Sequence, residues 1–437
     1  MATDLLRPPP KAIASAARTF VTDLGLPFAE GAYRDLRRPR VRTVPAAVAR
    51  TTFDPTLPDM IANPYPELER IREHPVVVNE RLGVWMLGRY HDVDAAVRAD
   101  ETFSSADGIT LRSAPLKAMI VSDKPDHTRL RRITAPMFSR KAIAALTSDI
   151  GLLATHGVAA LKHGDVVDMV PALTIPLPIN VIAQILGVPC EQWEGFRAVS
   201  QVWAQAFSPR TGSESMRLMA SSAKAYVQLR SFVDAELRGR SALPADDLLG
   251  ALRVAIDAGE LTEQEAFYYV VLILVAGNET TTNLLGMLLI RLARDPELFA
   301  ELRADRSLLP AAVEETARWG SPVQWVTRST TAPYEIGGTV IPRGGRVVLF
   351  YASANRDPRK FEDPDRFDIH RATTGHLAFG HGIHFCLGTH LARLETVTAI
   401  NCLLDEVDGL ELAGPVRWGT TPSLQGPVSV PLRATIR

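Results

Sequence analysis

The sequence predicts a mainly α protein with small β-sheets, built as a single large domain, and three features carry that prediction. Residues 262–294 read as one long helix with both a start and a stop. Helical patterning runs from His91 to Trp319 with no repeat period and no Gly/Ser-rich linker to divide it. After Trp319 the texture changes to strand alternation and turns, as in "YEIGGTVIPRGGRVVLFY" (334–351), and the chain closes in a β-rich tail.

Composition agrees with a large buried core. Of 437 residues, 46% are hydrophobic, so the chain is globular rather than disordered. Lys+Arg (48) nearly balance Asp+Glu (49), which recommends neither nucleic acid nor an anionic membrane as a partner. Cys190, Cys386 and Cys402 are an odd, thinly spread set, so a disulfide framework is not expected and a reducing, cytoplasmic setting is. The N-terminus lacks the pattern of a signal peptide, and the greasy run Phe267–Ala276 is far shorter than the ~20 residues that cross a bilayer.

Taken in order, residues 1–55 form an arm rich in Pro and Arg, with "YRDLRRPRVR" (33–42) and little periodicity, and are expected to be a surface extension. Residues 56–437 form the domain. Pro64 opens a helix at "YPELERIREH", and two short strands, "VVVN" and "VWMLG", follow with Gly83 in their turn. In the long helix Thr262 and Glu265 have capping-box spacing and Asp295-Pro296 supplies the stop, giving a length of about 50 Å. Its first half is apolar on every face, so it is expected at the centre, surrounded by other helices. The irregular stretch 354–376, "ANRDPRKFEDPDRFDIHRATTGH", is long enough to want a functional reason.

Four segments carry candidate chemistry. In "FGHGIHFCLG" (379–388) the glycines let the backbone turn tightly, and a helix beginning near Leu387 aims free N–H groups at Cys386, a setting that favours a thiolate. That thiolate is open to three readings: a nucleophile, a zinc ligand beside His381, His384 and His390, or an iron ligand. No second cysteine arm supports zinc, and a nucleophile needs a base that one sequence does not locate. In "AGNETT" (276–281), Gly277, Thr280 and Thr281 predict a distorted centre for the long helix. Either Gly277 permits close helix packing, or the segment is a notch in which Glu279 and Thr280 pass protons. Glu315 and Arg318 in "EETAR" have the spacing of an ordinary surface pair. His127 and Arg131 in "DHTRLRR" share a helix face suited to gripping a carboxylate.

Together, in this order, F-G-x-G-x-H-x-C-x-G at 379–388, A-G-x-E-T-T at 276–281, E-x-x-R at 315–318 and H-x-x-x-R at 127–131 resemble the cytochrome P-450 family. These are haem-thiolate monooxygenases, here of the soluble bacterial type. "ANRDP" and "FEDPDRFD" support the match, which covers roughly residues 55–437.

The resemblance implies a P-450 fold with haem b between the long helix and the helix after the Cys loop. It implies Cys386 as the proximal thiolate of iron, with Phe379 and Gly380 beside it. His127, Arg131, Arg328 and His384 would hold the propionates, and Ala276 and Gly277 would make room for O2. Glu279 and Thr280 would relay protons to the reacting oxygen. Glu315 and Arg318 would form a buried structural network joined by Arg366. Electrons would come from NAD(P)H through a separate ferredoxin reductase and ferredoxin, with Arg129 and Arg132 as docking candidates. The retained acid and alcohol speak against two alternatives, a non-catalytic haem-thiolate binder and a peroxide-driven peroxygenase.

Ser104–Met119, Trp203–Phe207, Tyr269–Ala276, Val323–Val326 and Leu424 would line the cavity, including Met119, Trp203, Phe207 and Trp325. An apolar cavity with aromatic walls suits an aromatic, terpenoid, steroid or lipid-like substrate, hydroxylated or O-dealkylated. Arg112 faces either a substrate carboxylate or, more simply, solvent. A monomer that binds neither nucleic acid nor membrane is expected.

Overall fold

The structure, a computed structural model, describes residues 25–38, 41, 46–196, 198, 213–240 and 247–436. The capping box forms as its spacing requires: Thr262 Oγ1 accepts from the Glu265 N–H, and Glu265 accepts from the Thr262 N–H at 2.9 Å. It opens a 32-residue helix, Glu263–Arg294. Asp295 then caps the following helix through the Leu298 N–H at 3.0 Å, so the expected stop is also a start.

Seven further helices matter for the site and are numbered with the long one in chain order: α1 (Leu26–Arg37), α2 (Tyr65–Arg72), α3 (Tyr90–Arg98), α4 (Asp126–Thr134), α5 (Pro176–Leu186), α6 (Glu263–Arg294), α7 (Leu309–Gly320) and α8 (Thr389–Glu406). Helix α6 packs against α5, α7 and α8. The main apolar core gathers around it, including Phe267, Val270, Leu285 and Leu288 of α6, Ile182 and Leu186 of α5, and Ala399 and Leu403 of α8. Helix α6 is long and apolar enough to cross a bilayer, but two thirds of its most apolar window is buried in the protein, as a central helix requires.

Six of the described strands form one sheet: β1 (Ala49–Arg50), β2 (Val77–Asn79), β3 (Val84–Leu87), β4 (Phe103–Ser104), β5 (Val326–Thr330) and β6 (Arg346–Leu349). The order is β1-β2-β3-β6-β5-β4. β2 and β3 are the expected hairpin, with Val78 opposite Trp85 and Gly83 at φ +66° in the turn. Side-chain alternation divides the sheet's faces. Trp85, Leu87, Val347 and Leu349 join one apolar cluster, while Met86 and Val348 join another with Leu68 and Ile71 of α2.

The N-terminal arm is more structured than its composition suggested. α1 is a helix whose polar side chains meet residues 107–113, β1 pairs in parallel with β2, and Phe53 is buried. Tertiary pairing supplies what local periodicity lacked. Arg42 lies outside the described residues.

Candidate functional site

The Cys loop is shaped by two left-handed glycines, Gly380 (φ +65°) and Gly382 (φ +68°). A Cβ on Gly382 would come within 2.6 Å of the Val97 carbonyl, so the loop backbone rests directly on α3. The Cys386 N–H donates to the Phe379 carbonyl at 2.9 Å, and Thr389 Oγ1 donates to the Cys386 carbonyl at 2.7 Å. These bonds place the sulfur at the start of α8, whose N-cap is Gly388. Burial pushes the Cys386 thiol up, opposed by the Thr389 hydroxyl, the Gly388 N–H and the charges of Arg131 and Arg393. The helix start therefore does not by itself make a thiolate here; a bound cation would. Cys386 is surrounded by protein yet keeps part of its surface accessible.

The histidines around it turn to separate partners. His381 Nδ1 lies 2.5 Å from Asp94 and 2.8 Å from Arg98 on α3, tying the loop to that helix. His384 Nε2 lies 3.0 Å from Ser105 Oγ, and its ring packs edge-on against His127, centroids 4.5 Å apart. Among the described residues no group of three or more His, Cys, Asp or Glu side chains converges as metal ligands, which speaks against the zinc reading.

What does converge is a set of donors. His127 and Arg131 lie on one face of α4, as their i, i+4 spacing requires. Arg131 donates to the Ile383 carbonyl at 3.1 Å. Arg328 of β5 is 4% exposed and donates to the Thr327 carbonyl. Burial, then the charges of Arg328, His127 and Arg131, push His384 down to about 2, so its imidazole is neutral. Burial and Arg131 likewise lower His127. Among the described residues none of these four forms an ion pair with a carboxylate, and the buried Nε2 of His127 has no hydrogen-bond partner.

Helix α6 runs as α-helix through "AGNETT" rather than breaking there. Thr280 Oγ1 donates to the Ala276 carbonyl at 2.7 Å, and a Cβ on Gly277 would come within 2.7 Å of Ile182 Cδ1 of α5. Gly277 thus has a packing reason of its own. Ala276 is exposed and Glu279 and Thr280 keep partial exposure on a helix otherwise mostly buried. Burial raises the Glu279 carboxyl, against a 3.3 Å bond from Thr421 Oγ1.

Comparison with known proteins bears on this arrangement directly. A family model described as cytochrome P450 matches residues 203–408. The beta-dihydromenaquinone-9 omega-hydroxylase of Mycobacterium tuberculosis (strain ATCC 25618 / H37Rv) is 34% identical over 377 residues, covering 86% of this chain and 77% of that protein. Cytochrome P450 monooxygenase PikC of Streptomyces venezuelae is 37% identical over 394 residues, covering 86% and 92%. The chain belongs to the cytochrome P450 family. Among solved structures, CYP109E1 from Bacillus megaterium in complex with testosterone superposes with a TM-score of 0.77 at 30% identity, covering 86% of this chain and 99% of that one.

This P450 is a monooxygenase-family enzyme, and the family's cofactor is haem b on a cysteine thiolate. The residues present fit that group. Haem b brings two carboxylates, and the donor set around His127, Arg131, Arg328 and His384 has the charge and the spare donor to meet them. At Gly388 nothing lies within 4 Å of where a Cβ would be, so no other segment packs on the backbone two residues from Cys386.

The P450's "EETAR" pair is not a surface pair. Glu315 and Arg318 are fully buried and joined by two 2.7 Å bonds, and Arg318 also donates to the carbonyls of Asn355 (2.8 Å) and Pro364 (2.9 Å). The third member differs from expectation. The Arg366 side chain is 71% exposed and only its carbonyl meets Arg318, whereas Arg371 Nε stands 3.6 Å from Glu315 Oε1. The irregular 354–376 stretch winds so that Arg371, five residues later, points inward.

A further expectation is corrected. Trp325 joins the apolar cluster of Phe53 and Phe350, donating to the Pro422 carbonyl at 2.9 Å. Arg129 and Arg132 pair with Glu265 at 2.5 Å and Glu260 at 2.8 Å, and the Arg132 side chain is 67% exposed. Arg112 is exposed, Met119 is buried beside Tyr269, and Trp203 and Phe207 lie outside the described residues. Sequence reasoning did not single out Ser105 and Thr421, which nothing local marks, or Thr389, whose place at a helix start was readable.

Proposed function

We propose that this P450 inserts one atom of O2 into a hydrophobic small molecule, using haem b held through Cys386 and electrons from NAD(P)H delivered by a separate ferredoxin reductase and ferredoxin. The observation that carries the reading is the pairing of one enclosed cysteine at a helix start with a buried donor set that forms no ion pair with a carboxylate among the described residues.

Bound haem would activate O2, and a thiolate ligand favours O–O cleavage. Cys386 would hold the haem iron through its sulfur, and the Gly388 N–H beside the sulfur would temper its electron donation. Phe379, with the Arg393 guanidinium 4.9 Å from its ring centroid, and Gly380 would shape the thiolate side. His127, Arg131, Arg328 and His384 would hold the propionates. On the opposite side Ala276 would leave room for O2 against α6. Glu279, its carboxyl raised by burial, holds a proton more readily than an exposed acid, and Thr280 beside it would pass that proton on by leaving its back-bond to Ala276.

The apolar lining favours a lipid-like, terpenoid, steroid or aromatic substrate. Ile109, Leu116 and Ile120 pack with Ala118, Val121 and Tyr268 into a small apolar cluster along α6. Relatives whose names refer to dihydromenaquinone and to a testosterone complex support this class. A cytoplasmic location and a monomeric state belong to the same reading.

The reduced protein treated with carbon monoxide should show the red-shifted Soret band of a thiolate-ligated haem; a histidine-type or absent band would remove Cys386 from its role. Turnover with a generic ferredoxin pair, run against peroxide alone, tests the electron source; activity with peroxide alone at an equal rate would favour the peroxygenase.

A further inference from the structure

Helix α1 precedes the family motifs, yet it is built onto one loop of the domain. Gly31 is its buried residue, and a Cβ there would come within 2.0 Å of the Ser113 carbonyl, so helix and loop meet backbone to backbone. Arg34 pairs with Asp107. The Asp35 carboxylate accepts from the Ser113 N–H at 3.1 Å. Arg38 pairs with Asp35 and donates to Ser113 Oγ at 2.7 Å and to the Leu111 carbonyl at 3.3 Å.

The same loop is held from its other side by the sheet. Buried Arg346 of β6 donates to the carbonyls of Gly108 (2.8 Å) and Thr110, and Thr327 of β5 bonds the carbonyls of Ile109 (3.0 Å) and Thr110 (2.7 Å). Beneath, Ile109 and Leu116 pack on the cluster containing Tyr268 of α6, and Ser105 reaches His384 of the Cys loop. The loop therefore spans from the central helix to the loop that carries Cys386.

We propose that α1 is a clasp that holds residues 105–116 closed over the pocket, with Gly31, Arg34, Asp35 and Arg38 as positioning residues for admission of bulky ligands. This rests on the reading that the pocket lies beneath that loop. The fastening is polar rather than apolar: Leu26, Tyr33 and Leu36 of α1 are 59%, 52% and 86% exposed, so little apolar burial holds the helix down. The Arg34–Asp107 pair that crosses from α1 to the loop keeps side-chain exposures of 41% and 25%, and pairs near solvent are weak and screened by salt, which makes the clasp releasable. The sheet side, where Arg346 is fully buried, is the fixed hinge side.

The test uses the full-length, haem-loaded protein, with hydrogen exchange over residues 105–116 and stopped-flow association of two azoles, small imidazole and bulky econazole. In Arg34→Asp and in Gly31→Val, exchange over 105–116 should accelerate on the order of fivefold to tenfold, and econazole association should rise with it while imidazole association stays unchanged. The double variant Arg34→Asp/Asp107→Arg should restore both rates, which a general loss of structure would not. Raising salt should speed econazole association in the native protein and much less in Arg34→Asp. Unchanged exchange in both single variants overturns the clasp, and so does faster exchange with unchanged econazole association. The carbonyl Soret band is recorded throughout. Its absence from the native protein would overturn the haem reading, while the exchange measurement would still decide the clasp.

Discussion

Two buried polar clusters differ in how their charges are answered. Around Arg318, each charge is answered within the protein: Glu315 accepts two bonds from Arg318 and one from the Asp368 N–H, Arg371 stands beside it, and backbone carbonyls take the remaining guanidinium protons. Around Arg328 none of His127, Arg131, Arg328 and His384 has a carboxylate within ion-pair distance among the described residues, although Asp123 acts on Arg328 and His127 from farther away. Each cluster leaves one buried nitrogen unbonded, His127 Nε2 here and Arg371 Nε there. Uncompensated burial of charge is costly. A cluster that closes on itself serves the fold, and on the function proposed above the other would receive the haem carboxylates.

The largest expected effect comes from opening the closed cluster. Arg318→Ala leaves the Glu315 carboxylate buried without its main partner and should cost about 3–5 kcal/mol, read as a drop in urea midpoint or as failure to accumulate folded protein. In the open cluster the outcome should invert. Arg328→Ala should leave the haem-free protein as stable as the native one or more so, while haem affinity falls on the order of 10- to 100-fold in transfer to apomyoglobin. A loss of apoprotein stability as large as that of Arg318→Ala would erase the distinction between the clusters.

A smaller and more specific effect is expected from Thr280→Ala. The back-bond to Ala276 is lost with little change in stability, and reducing equivalents should be diverted to peroxide while substrate still binds. Unchanged coupling would take Thr280 out of the proton path.

The pair Glu314–Arg393 gives a pH test beneath the Cys loop. Burial opposes ionisation of Glu314, but its bonds to His376 and Arg393 outweigh it and hold the carboxyl down to about 2. Because the folded value lies below the unfolded one, this stabilisation is present above the ordinary carboxylate range and is lost as pH falls toward about 2. Melting curves of native protein and Glu314→Gln should therefore differ at neutral pH and converge in acid. Smallest of all, Arg366→Ala should shift stability by no more than ~0.5 kcal/mol, since its side chain is exposed; a large loss would return it to the buried network.

Local chemistry made much of the fold readable. A capping box depends on residues three apart, and Thr262 and Glu265 form it as written. A hairpin depends on alternation and a turn glycine, and Val77–Asn79 and Val84–Leu87 pair as written. The donor set on α4 followed from helical spacing alone, and Cys386 stood out because glycines surrounded it.

Whatever depends on how distant segments pack was not readable. Arg366 and Arg371 sit in a stretch without a period, so which one turned toward Glu315 was settled only when the stretch wound around Arg318. Trp325 stands immediately before β5, and which apolar cluster it joins depends on what covers each face of the sheet. Gly277 reads equally well as a notch or a packing gap until Ile182 arrives within 2.7 Å of its absent Cβ. The arm before residue 55 lacks periodicity of its own, and its place was decided by Asp107 and Ser113, more than 70 residues away in the chain. Short-range spacing determined the helices, the hairpin and the ligand candidate; long-range contacts, which no local pattern encodes, decided which polar groups close on one another and which are left for a cofactor.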